Sequence, residues 1–340
     1  MTKILVAGIG GGSLGTEIGK ALRLTNQYGL IGCDVSPLAF GHYSKVFDQT
    51  HRLDRESYIE SLLGVCRSSG AAVVIPGGEE PTKLLAEARA QIEAEGIRIA
   101  ANAPALVKAL SDKRECFERL KALGFDTPAT QAVDRNETLD RIAFPCIIKP
   151  AIDSGGSAFV FFARAKSEAA QYSSFLRANN LSPIAQRYIP HHNGEFTVGV
   201  LSDPTGHVLG AIALKRAFPS KLSVQARGSD FLISSGISQG RIEIYPEVCE
   251  IAVQIAKALG SKGPLNIQGR MDEKNRFVPF EINARFSAST YLRALAGFNE
   301  VHAFVECLLG RKDLPTLSIK PGWYLRGVTE TYLSDEDVIQ

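Results

Sequence analysis

The stretch 263–285 constrains the fold and the chemistry of this chain more than any other. Two apolar runs, 265–271 and 277–282, flank a polar turn, and this pattern predicts a β-hairpin. Near the base of the hairpin, Glu281 and Asn283 stand two residues apart, so on an extended strand their side chains share one face. Carboxylate and amide oxygens are ligands that Mg²⁺ prefers, usually together with phosphate oxygens. The sequence therefore predicts a magnesium site at this hairpin.

Composition excludes several classes of partner. The chain has 340 residues, enough for two or three domains with cores of their own. With 22% charged residues and a formal net charge of +2, nothing electrostatic favours nucleic acid or a membrane surface. The N-terminus runs directly into an apolar strand and a glycine turn rather than a signal peptide, and the six cysteines form no C-x-x-C pair. We expect a cytoplasmic protein.

The pattern of predicted strands and helices changes along the chain. Up to about residue 105, short apolar strands alternate with helices, which predicts a parallel sheet with right-handed crossovers. Two helices follow, and the second is predicted to begin with Ser111-Asp112 as its N-cap and to end at Gly124. From Glu195 the pattern is rich in strands, interrupted by a long helix that begins at Pro246 and ends at Gly260.

Lys149 ends an apolar strand and precedes a loop of small residues that contains Gly155 and Gly156. A lysine in this place can reach anions, and the loop amides can close over phosphates because glycine has no side chain to block the approach. The alternative is a strand-end lysine ahead of an ordinary hairpin turn. The oxygen ligands Glu281 and Asn283 downstream favour the phosphate interpretation.

Taken together, the Lys149 loop and the Glu281-x-Asn283 hairpin resemble the ATP-grasp superfamily, most of all its carbamoyl-phosphate-synthetase-like branch. The motifs are specific jointly rather than singly, and the resemblance extends over nearly the whole chain. It implies an α/β and α+β fold in three parts. These are a Rossmann-like preliminary domain (1–105), linker helices with a small lid subdomain (106–190), and a large catalytic subdomain (191–340).

The resemblance implies ATP as the cofactor. It implies that Lys113 and Lys149 contact the phosphates, that the strand at Gln186 leads into a hinge that reads the adenine edge, and that Glu195 receives the ribose hydroxyls. The side chain at the Gln186 position, commonly Glu in relatives, is implied to contact the exocyclic amine of the adenine, and Gln still accepts through its carbonyl oxygen. Taken alone, Lys113 would be a surface helix lysine and Glu195 a solvated residue at a strand start. The residues implied for nucleotide binding are Lys113, Lys149, Ser154, Gly155, Gly156, Ser157, Gln186, Arg187, Tyr188, Ile189 and Glu195.

The implied metal ligands are Gln268, Glu281 and Asn283, holding Mg²⁺, for which Mn²⁺ could substitute. Gln268 resembles the first ligand position of the family, an acid in many ligases but Gln in the carbamoyl-phosphate-synthetase branch. Glu281 is expected to bridge two ions. Asp272 is an alternative ligand, but it opens the hairpin turn, where Asp is favoured for turn chemistry.

Phosphoryl transfer depends on positioning and on neutralising developing charge. The resemblance implies that Arg285, Lys149 and Glu281 are the catalytic residues, with Arg285 near the γ-phosphate. Arg216 and Arg293 could also supply positive charge near the γ-phosphate. For these two residues, ordinary ion pairing is an equally open interpretation. The stretch 227–235 lacks clear periodicity and is either a lid over the substrate or a connecting loop.

The implied activity is that of an ATP-dependent carboxylate–amine ligase acting on small-molecule substrates, and a homodimer is left open. One alternative is an enzyme that forms carboxyphosphate or carbamoyl phosphate instead of an amide. The other is a nicotinamide- or nucleotide-binding module without ligase activity, because the glycine turn 8–15 and Asp34 resemble a dinucleotide fingerprint. In ATP-grasp relatives the corresponding glycines serve a tight turn and close packing.

Overall fold

The N-terminal part of the chain forms a five-stranded parallel sheet in a computed structural model, which describes residues 1–10, 14–152, 157–219 and 221–339. Its elements are β1 (Thr2–Ala7), α1 (Leu14–Arg23), β2 (Tyr28–Asp34), β3 (Gln49–Arg52), α2 (Tyr58–Ser69), β4 (Ala71–Pro76), α3 (Glu79–Glu87), α4 (Arg89–Ala94) and β5 (Arg98–Ile99). The strand order is β3-β2-β1-β4-β5. The predicted parallel sheet is confirmed. Strand β3 is not predicted, because its polar sequence carries no apolar signal.

Two helices, α5 (Pro104–Ser111) and α6 (Lys113–Ala122), lead into a four-stranded antiparallel sheet. Asp112 caps α6 as predicted: its carboxylate accepts from the backbone N–H groups of Arg114 and Glu115 at 2.8 and 3.2 Å. The elements that follow are β6 (Thr130–Ala132), β7 (Cys146–Pro150), β8 (Phe161–Ala163), α7 (Lys166–Ala178) and β9 (Pro183–Arg187). The strand order β6-β9-β7-β8 places β7, which carries Lys149, in the interior of the sheet.

The remainder of the chain forms a six-stranded antiparallel sheet and a small hairpin. The elements are β10 (Glu195–Ser202), β11 (Val208–Arg216), β12 (Val224–Arg227), β13 (Leu232–Ser234), β14 (Gly240–Ile242), α8 (Pro246–Leu259), β15 (Pro264–Met271), β16 (Phe277–Asn283), α9 (Thr290–Leu295), α10 (Glu300–Leu308) and β17 (Gly322–Tyr324). The large sheet has the order β16-β15-β10-β11-β14-β17, and β12 pairs only with β13 among the described strands. The predicted β15–β16 hairpin is confirmed, as is the helix from Pro246, which ends at Gly260 in a left-handed conformation (φ +66°).

The N-terminal sheet shares one face with helices from the end of the chain. Along β1, Ile4 and Val6 pack in a core with α1, α9 and α10, whereas Leu5 and Ala7 pack in a core with α2 on the other side. All four side chains are buried, as expected for a parallel strand covered on both faces. Within the described ranges, we find no helix with the length and apolar character of a membrane span.

Candidate active site

A cavity of about 700 Å³ lies where the four-stranded sheet, the β12–β13 hairpin and strands β15 and β16 meet. Its walls come from parts of the chain that are more than a hundred residues apart in sequence. Many of the residues that the sequence assigns to nucleotide or metal binding line it. They are Lys113, Lys149, Ser157, Gln186, Arg187, Tyr188, Ile189, Gln268 and Glu281. The predicted loop residues Ser154, Gly155 and Gly156 lie outside the described residues.

The predicted metal ligands are neighbours across the β15–β16 hairpin. Gln268 pairs directly with Glu281 in the antiparallel register, and Asn266 pairs with Asn283. Directly opposed residues have their Cβ atoms about 4.5–5.5 Å apart, so the side chains of Gln268 and Glu281 meet on one face. The side-chain amide of Asn283 donates to Glu281 Oε1 at 3.2 Å. One carboxylate and two amides form an oxygen donor set that fits Mg²⁺ if phosphate oxygens complete its coordination.

A β-bulge aims two consecutive residues of β16 at the cavity. Phe280 and Glu281 both line it, although successive side chains of a regular strand point to opposite faces. The register shifts between Gln268 and Gly269, so Phe280 is the extra residue on β16 and has no partner on β15. A bulge bends its strand and redirects side chains, and such bulges are frequent next to active sites. Here it brings the Glu281 carboxylate and the Phe280 carbonyl to the same wall.

Lys149 is a nearly dehydrated cation at the floor of this cavity, with 6% of its surface exposed. Its ammonium donates to Gln186 Oε1 at 2.9 Å and to the Phe280 carbonyl at 3.3 Å. Burial lowers the pKa of Lys149 to about 8, while the nearby Glu281 carboxylate opposes that shift. Lys149 is therefore still charged at neutral pH, and an anion that reaches it displaces little water.

Gln186 orients Lys149. Its side-chain carbonyl accepts from the lysine ammonium, and its amide donates to the Thr130 hydroxyl at 3.0 Å. Because the protein uses both ends of this amide, the side chain has one favoured direction. The expected contact of Gln186 with an exocyclic amine stays a prediction. Arg187, Tyr188 and Ile189, the predicted hinge segment, continue from it along the cavity wall.

Glu195 is not among the residues that line the cavity. It is completely buried, so the alternative of a solvated strand-start residue is wrong. Its Oε2 accepts from Arg270 Nε at 2.8 Å, and its Oε1 lies 3.2 Å from Arg216 Nη1. Burial alone would raise the pKa of Glu195, but the two guanidinium groups hold it below its ordinary value. The expected ribose contact stays a prediction, and Arg270 and Arg216 hold the carboxylate in this structure.

Arg285 lies outside the main cavity lining. Together with Asn283 it lines a smaller cavity of about 290 Å³ against α3. Its Nη1 donates to the Phe286 carbonyl at 2.9 Å, and its buried Nε has no hydrogen-bond partner among the described residues. Its approach to a γ-phosphate stays a prediction. By contrast, Arg293 is completely buried, and its Nη1 lies 3.0 Å from Glu300 Oε1. Of the two interpretations left open for Arg293, this contact favours ordinary ion pairing.

Sequence reasoning does not identify Arg270, although this residue lines the cavity and is nearly buried. A signal for it exists in the pattern, because Gln268 and Arg270 are two apart on β15 and so share a face. The hairpin residues Leu232, Ile233 and Ser234 also line the cavity. The stretch 227–235 lacks clear periodicity because the strands of this hairpin are short. The hairpin packs against the four-stranded sheet and adds no strand to the six-stranded sheet.

A second cavity, of about 690 Å³, lies at the carboxyl ends of β1, β2 and β4. Gly8 and Gly77 are among the glycines that line it, and Asp34 and Tyr58 contribute side chains. Both carboxylate oxygens of Asp34 are engaged by the backbone: Oδ2 accepts from the Ile9 N–H at 2.8 Å and Oδ1 from the Ser36 N–H at 2.9 Å. Asp34 thus stabilises the turn after β1. Residues 11–13 of this turn lie outside the described ranges.

Comparison with known proteins shows which families this chain resembles. Residues 184–330 match the family "ATP-grasp in the biosynthetic pathway with Ter operon". The chain is 26% identical over 226 residues to the carbamoyl phosphate synthase large chain of Gemmatimonas aurantiaca, a match that covers 63% of this chain and 19% of the relative. For the same protein of Thermoplasma acidophilum, identity is 22% over 205 residues, covering 59% and 19%. The matches span about a fifth of the length of these relatives.

Solved structures resemble the chain over almost its whole length. The biotin carboxylase domain dimer of Hydrogenobacter thermophilus 2-oxoglutarate carboxylase, in complex with MgADP, ADP and bicarbonate, has a TM-score of 0.66 at 17% identity, covering 94% of this chain and 73% of that one. An L-amino acid ligase from Bacillus licheniformis has a TM-score of 0.66 at 15% identity, covering 91% and 74%. An ADP complex of purK, N5-carboxyaminoimidazole ribonucleotide synthetase, has a TM-score of 0.69 at 15% identity, covering 94% and 80%. At these identities the likeness shows the fold.

Proposed function

We propose that this chain, which belongs to the ATP-grasp superfamily, is an ATP-dependent ligase that activates a small-molecule carboxylate as an acyl phosphate and joins it to an amine. The observation that carries the proposal is the convergence of Lys113, Lys149, Gln268 and Glu281 on one cavity. Cations for phosphate oxygens beside oxygen ligands for a divalent ion are what an Mg²⁺-bound nucleoside triphosphate needs.

Each wall of the cavity has a role in this proposal. Lys149 and Lys113 would bind phosphate oxygens, and Gln186 would keep the Lys149 ammonium aimed at them. Gln268, Glu281 and Asn283 would hold Mg²⁺ through their oxygen atoms. When bound, this ion would neutralise charge on the transferring phosphoryl group. The segment 187–189 would receive the base, supported by its place in the cavity wall.

Two expected residues need a rearrangement to take part. Glu195 would have to release Arg270 before it could accept ribose hydroxyls, because both of its oxygens face guanidinium groups. Arg285 would have to turn from the Phe286 carbonyl toward the main cavity. We keep both as proposed participants, supported only by their positions in the family motif.

The reaction consists of two displacements. A carboxylate oxygen of the first substrate attacks the γ-phosphorus and ADP leaves with the bridging oxygen. The amine nitrogen of the second substrate then attacks the carbonyl carbon of the acyl phosphate. Phosphate leaves with the electron pair of the broken C–O bond, and it takes up the proton that the nitrogen loses. The names of the relatives favour bicarbonate as a second candidate for the carboxylate, because two are carbamoyl phosphate synthases and one structure contains bicarbonate. In that case the first product is carboxyphosphate.

A phosphate-release screen tests the proposal. Purified protein with Mg·ATP is incubated with a panel of carboxylic acids, including amino acids and bicarbonate, each crossed with a panel of amines. We expect phosphate release that depends on both substrates and that is absent from the Glu281→Gln variant. Release that needs bicarbonate but no amine would favour carboxyphosphate formation. Failure of calorimetry to detect ATP binding by the wild-type protein would contradict the nucleotide assignment itself.

Three further features belong to the same proposal. We propose the domain division 1–105, 106–190 and 191–340, with the first part as a Rossmann-like preliminary domain, supported by its parallel strand order. We propose a homodimer, supported by the dimer that one similar structure reports, and sedimentation tests it. We propose a cytoplasmic location, supported by six free cysteines, which suit a reducing compartment.

A further inference from the structure

Arg270 holds three separate parts of the main cavity together. Its Nη1 donates to the Ile189 carbonyl at 2.6 Å and its Nη2 to the Leu232 carbonyl at 2.7 Å. Its Nε donates to Glu195 Oε2 at 2.8 Å. The side chain is 5% exposed. A single guanidinium group therefore connects the hinge segment, the β12–β13 hairpin and strand β10.

The aromatic neighbours of Arg270 restrict it further. The centre of its guanidinium lies 5.0 Å from the ring centroid of Tyr188 and 5.5 Å from that of Phe280. Both rings belong to residues that line the cavity. Cations at these distances from aromatic rings are attracted to them, and more strongly when they are removed from water. The guanidinium thus has little freedom to leave its carbonyl partners.

The β12–β13 hairpin, which Arg270 contacts, also packs against the four-stranded sheet. In sequence, β12 and β13 lie between two strands of the six-stranded sheet, but they pair with each other and also pack against the four-stranded sheet. Phe231 stacks on Phe162 with ring centroids 4.5 Å apart, and the Ser157 hydroxyl donates to the Ser234 carbonyl at 2.7 Å. The Tyr188 hydroxyl accepts from the Leu232 N–H at 2.9 Å. The hairpin is therefore bonded to the hinge segment directly as well as through Arg270.

Arginine is suited to this place, and lysine is not an equivalent. A guanidinium has five N–H donors in a planar fork and can serve two carbonyls and a carboxylate at once. An ammonium is a compact point charge that cannot span the same partners with the same geometry. Glu195 supplies the compensating charge, with Arg216 as its second partner, so the buried cation is paired.

We propose that Arg270 is a positioning residue that fixes the hinge segment and the hairpin as two walls of one slot for the nucleotide base. This inference rests on the proposed function. It separates two tasks within the cavity: Arg270 sets how tightly the nucleotide is held, while Lys149 and Glu281 act on the phosphates.

The test compares Arg270→Lys with the wild type by calorimetric titration with ATP and with MgADP. We expect about tenfold weaker nucleotide binding, equivalent to about 1.4 kcal/mol, because one of the two carbonyls loses its donor. The turnover number at saturating ATP should stay within about twofold, since the phosphate contacts are unchanged. Hydrogen exchange of the amides in 224–234 should be faster in the nucleotide-free variant, which shows that the hairpin has been released.

The matched control is Arg276→Lys. Arg276 is an exposed arginine in the turn of the β15–β16 hairpin and pairs with Asp272 and Asp126. This variant should change neither affinity nor exchange in 224–234. Wild-type affinity in Arg270→Lys would overturn the role of Arg270, as would an equal loss of affinity and turnover. Absence of nucleotide binding by the wild-type protein would instead contradict the proposed function.

A second variant keeps the inference testable if Arg270→Lys does not fold. Tyr188→Phe deletes the hydroxyl that accepts from the Leu232 N–H and leaves the ring beside Arg270 in place. Nucleotide binding should weaken about threefold, because one neutral hydrogen bond between the two walls is lost. Unchanged affinity in this variant would overturn the idea that the walls are held together for the nucleotide.

Discussion

The main cavity and the N-terminal cavity enclose similar empty volumes, about 700 and 690 Å³ with open solvent included, but their linings differ in chemistry. In the main cavity, buried or half-buried charged side chains from several elements point at one space. Four of the eleven residues that line the N-terminal cavity are glycines, its charged members are Asp34, Arg55 and Glu80, and the Asp34 carboxylate already accepts two backbone N–H groups. Volume alone does not distinguish a reaction site. The main cavity is distinguished by the convergence of cations and oxygen ligands from several elements on one space.

Packing explains two of the glycines at or near the N-terminal cavity, Gly77 and Gly15. A Cβ atom on Gly15 would lie 1.8 Å from the Gly8 carbonyl oxygen, and one on Gly77 would lie 2.1 Å from the same atom. Such distances exclude any side chain, so these positions require glycine whether or not a ligand binds. The same sequence pattern would be needed for a dinucleotide site, which explains why the motif is ambiguous before the packing is known.

The largest effect should come from Glu281→Ala, which tests whether the main cavity is the reaction site. We expect turnover to fall at least about 100-fold, because removal of one electrostatic stabiliser of a transition state commonly has an effect of that size. The phosphate-release assay with saturating Mg²⁺ measures it. Glu273→Ala is the matched control, an exposed carboxylate in the turn of the same hairpin. Turnover like that of the wild type in Glu281→Ala would contradict the assignment.

Lys149→Met should lower kcat/KM for ATP about 30-fold, or about 2 kcal/mol, since hydrogen bonds to charged groups contribute about 1.5–3 kcal/mol. Steady-state kinetics at neutral pH measure the change. The exposed Lys166, which pairs with Asp140, offers Lys166→Met as control. Lys113→Met should act in the same direction but more weakly. Unchanged ATP binding in both cavity variants would refute the phosphate assignment.

The pH dependence of the wild type sharpens this prediction. The pKa of Lys149 is lowered to about 8 by burial, so the ammonium is present below pH 8 and lost as the pH rises through that value. kcat/KM reports groups of the free enzyme, and it should therefore fall above pH 8. This alkaline limb should be missing from Lys149→Met. A limb retained in that variant would assign it to another group.

A smaller effect should distinguish two candidate metal ligands. Gln268→Ala should raise the Mg²⁺ concentration needed for half-maximal turnover about fivefold, or about 1 kcal/mol, because a neutral amide is a weaker ligand than a carboxylate. Asp272→Ala should leave that concentration unchanged. The Asp272 carboxylate accepts from the N–H groups of Lys274 and Arg276 and pairs with the Arg276 side chain, so it is used within the turn. The opposite result would reverse the ligand assignment.

Local signals predict much of this structure, and non-local contacts account for what they miss. The β15–β16 hairpin, the Asp112 cap and the glycine end at Gly260 depend on neighbours in sequence, and each is confirmed. The burial of Glu195 depends on arginines from two other strands, which no local pattern reveals. Arg285 is only four residues from Glu281, yet it follows the end of β16 and lines a different cavity.

The smallest effect should come from Asp34→Ala, which tests the N-terminal cavity. We expect ligase turnover within about twofold of the wild type and a loss of about 1 kcal/mol in the free energy of unfolding, because two backbone N–H groups lose their acceptor. Calorimetry should detect no NADH binding to the wild type at millimolar concentration, since the Asp34 oxygens that would receive a ribose hydroxyl already hold the turn after β1. By contrast, a change at Gly78, where a Cβ would meet only Pro81 at an ordinary 3.4 Å, should alter the apparent affinity for the carboxylate substrate but not for ATP. Micromolar NADH binding that disappears in Asp34→Ala would reverse the comparison and make the N-terminal cavity a dinucleotide site.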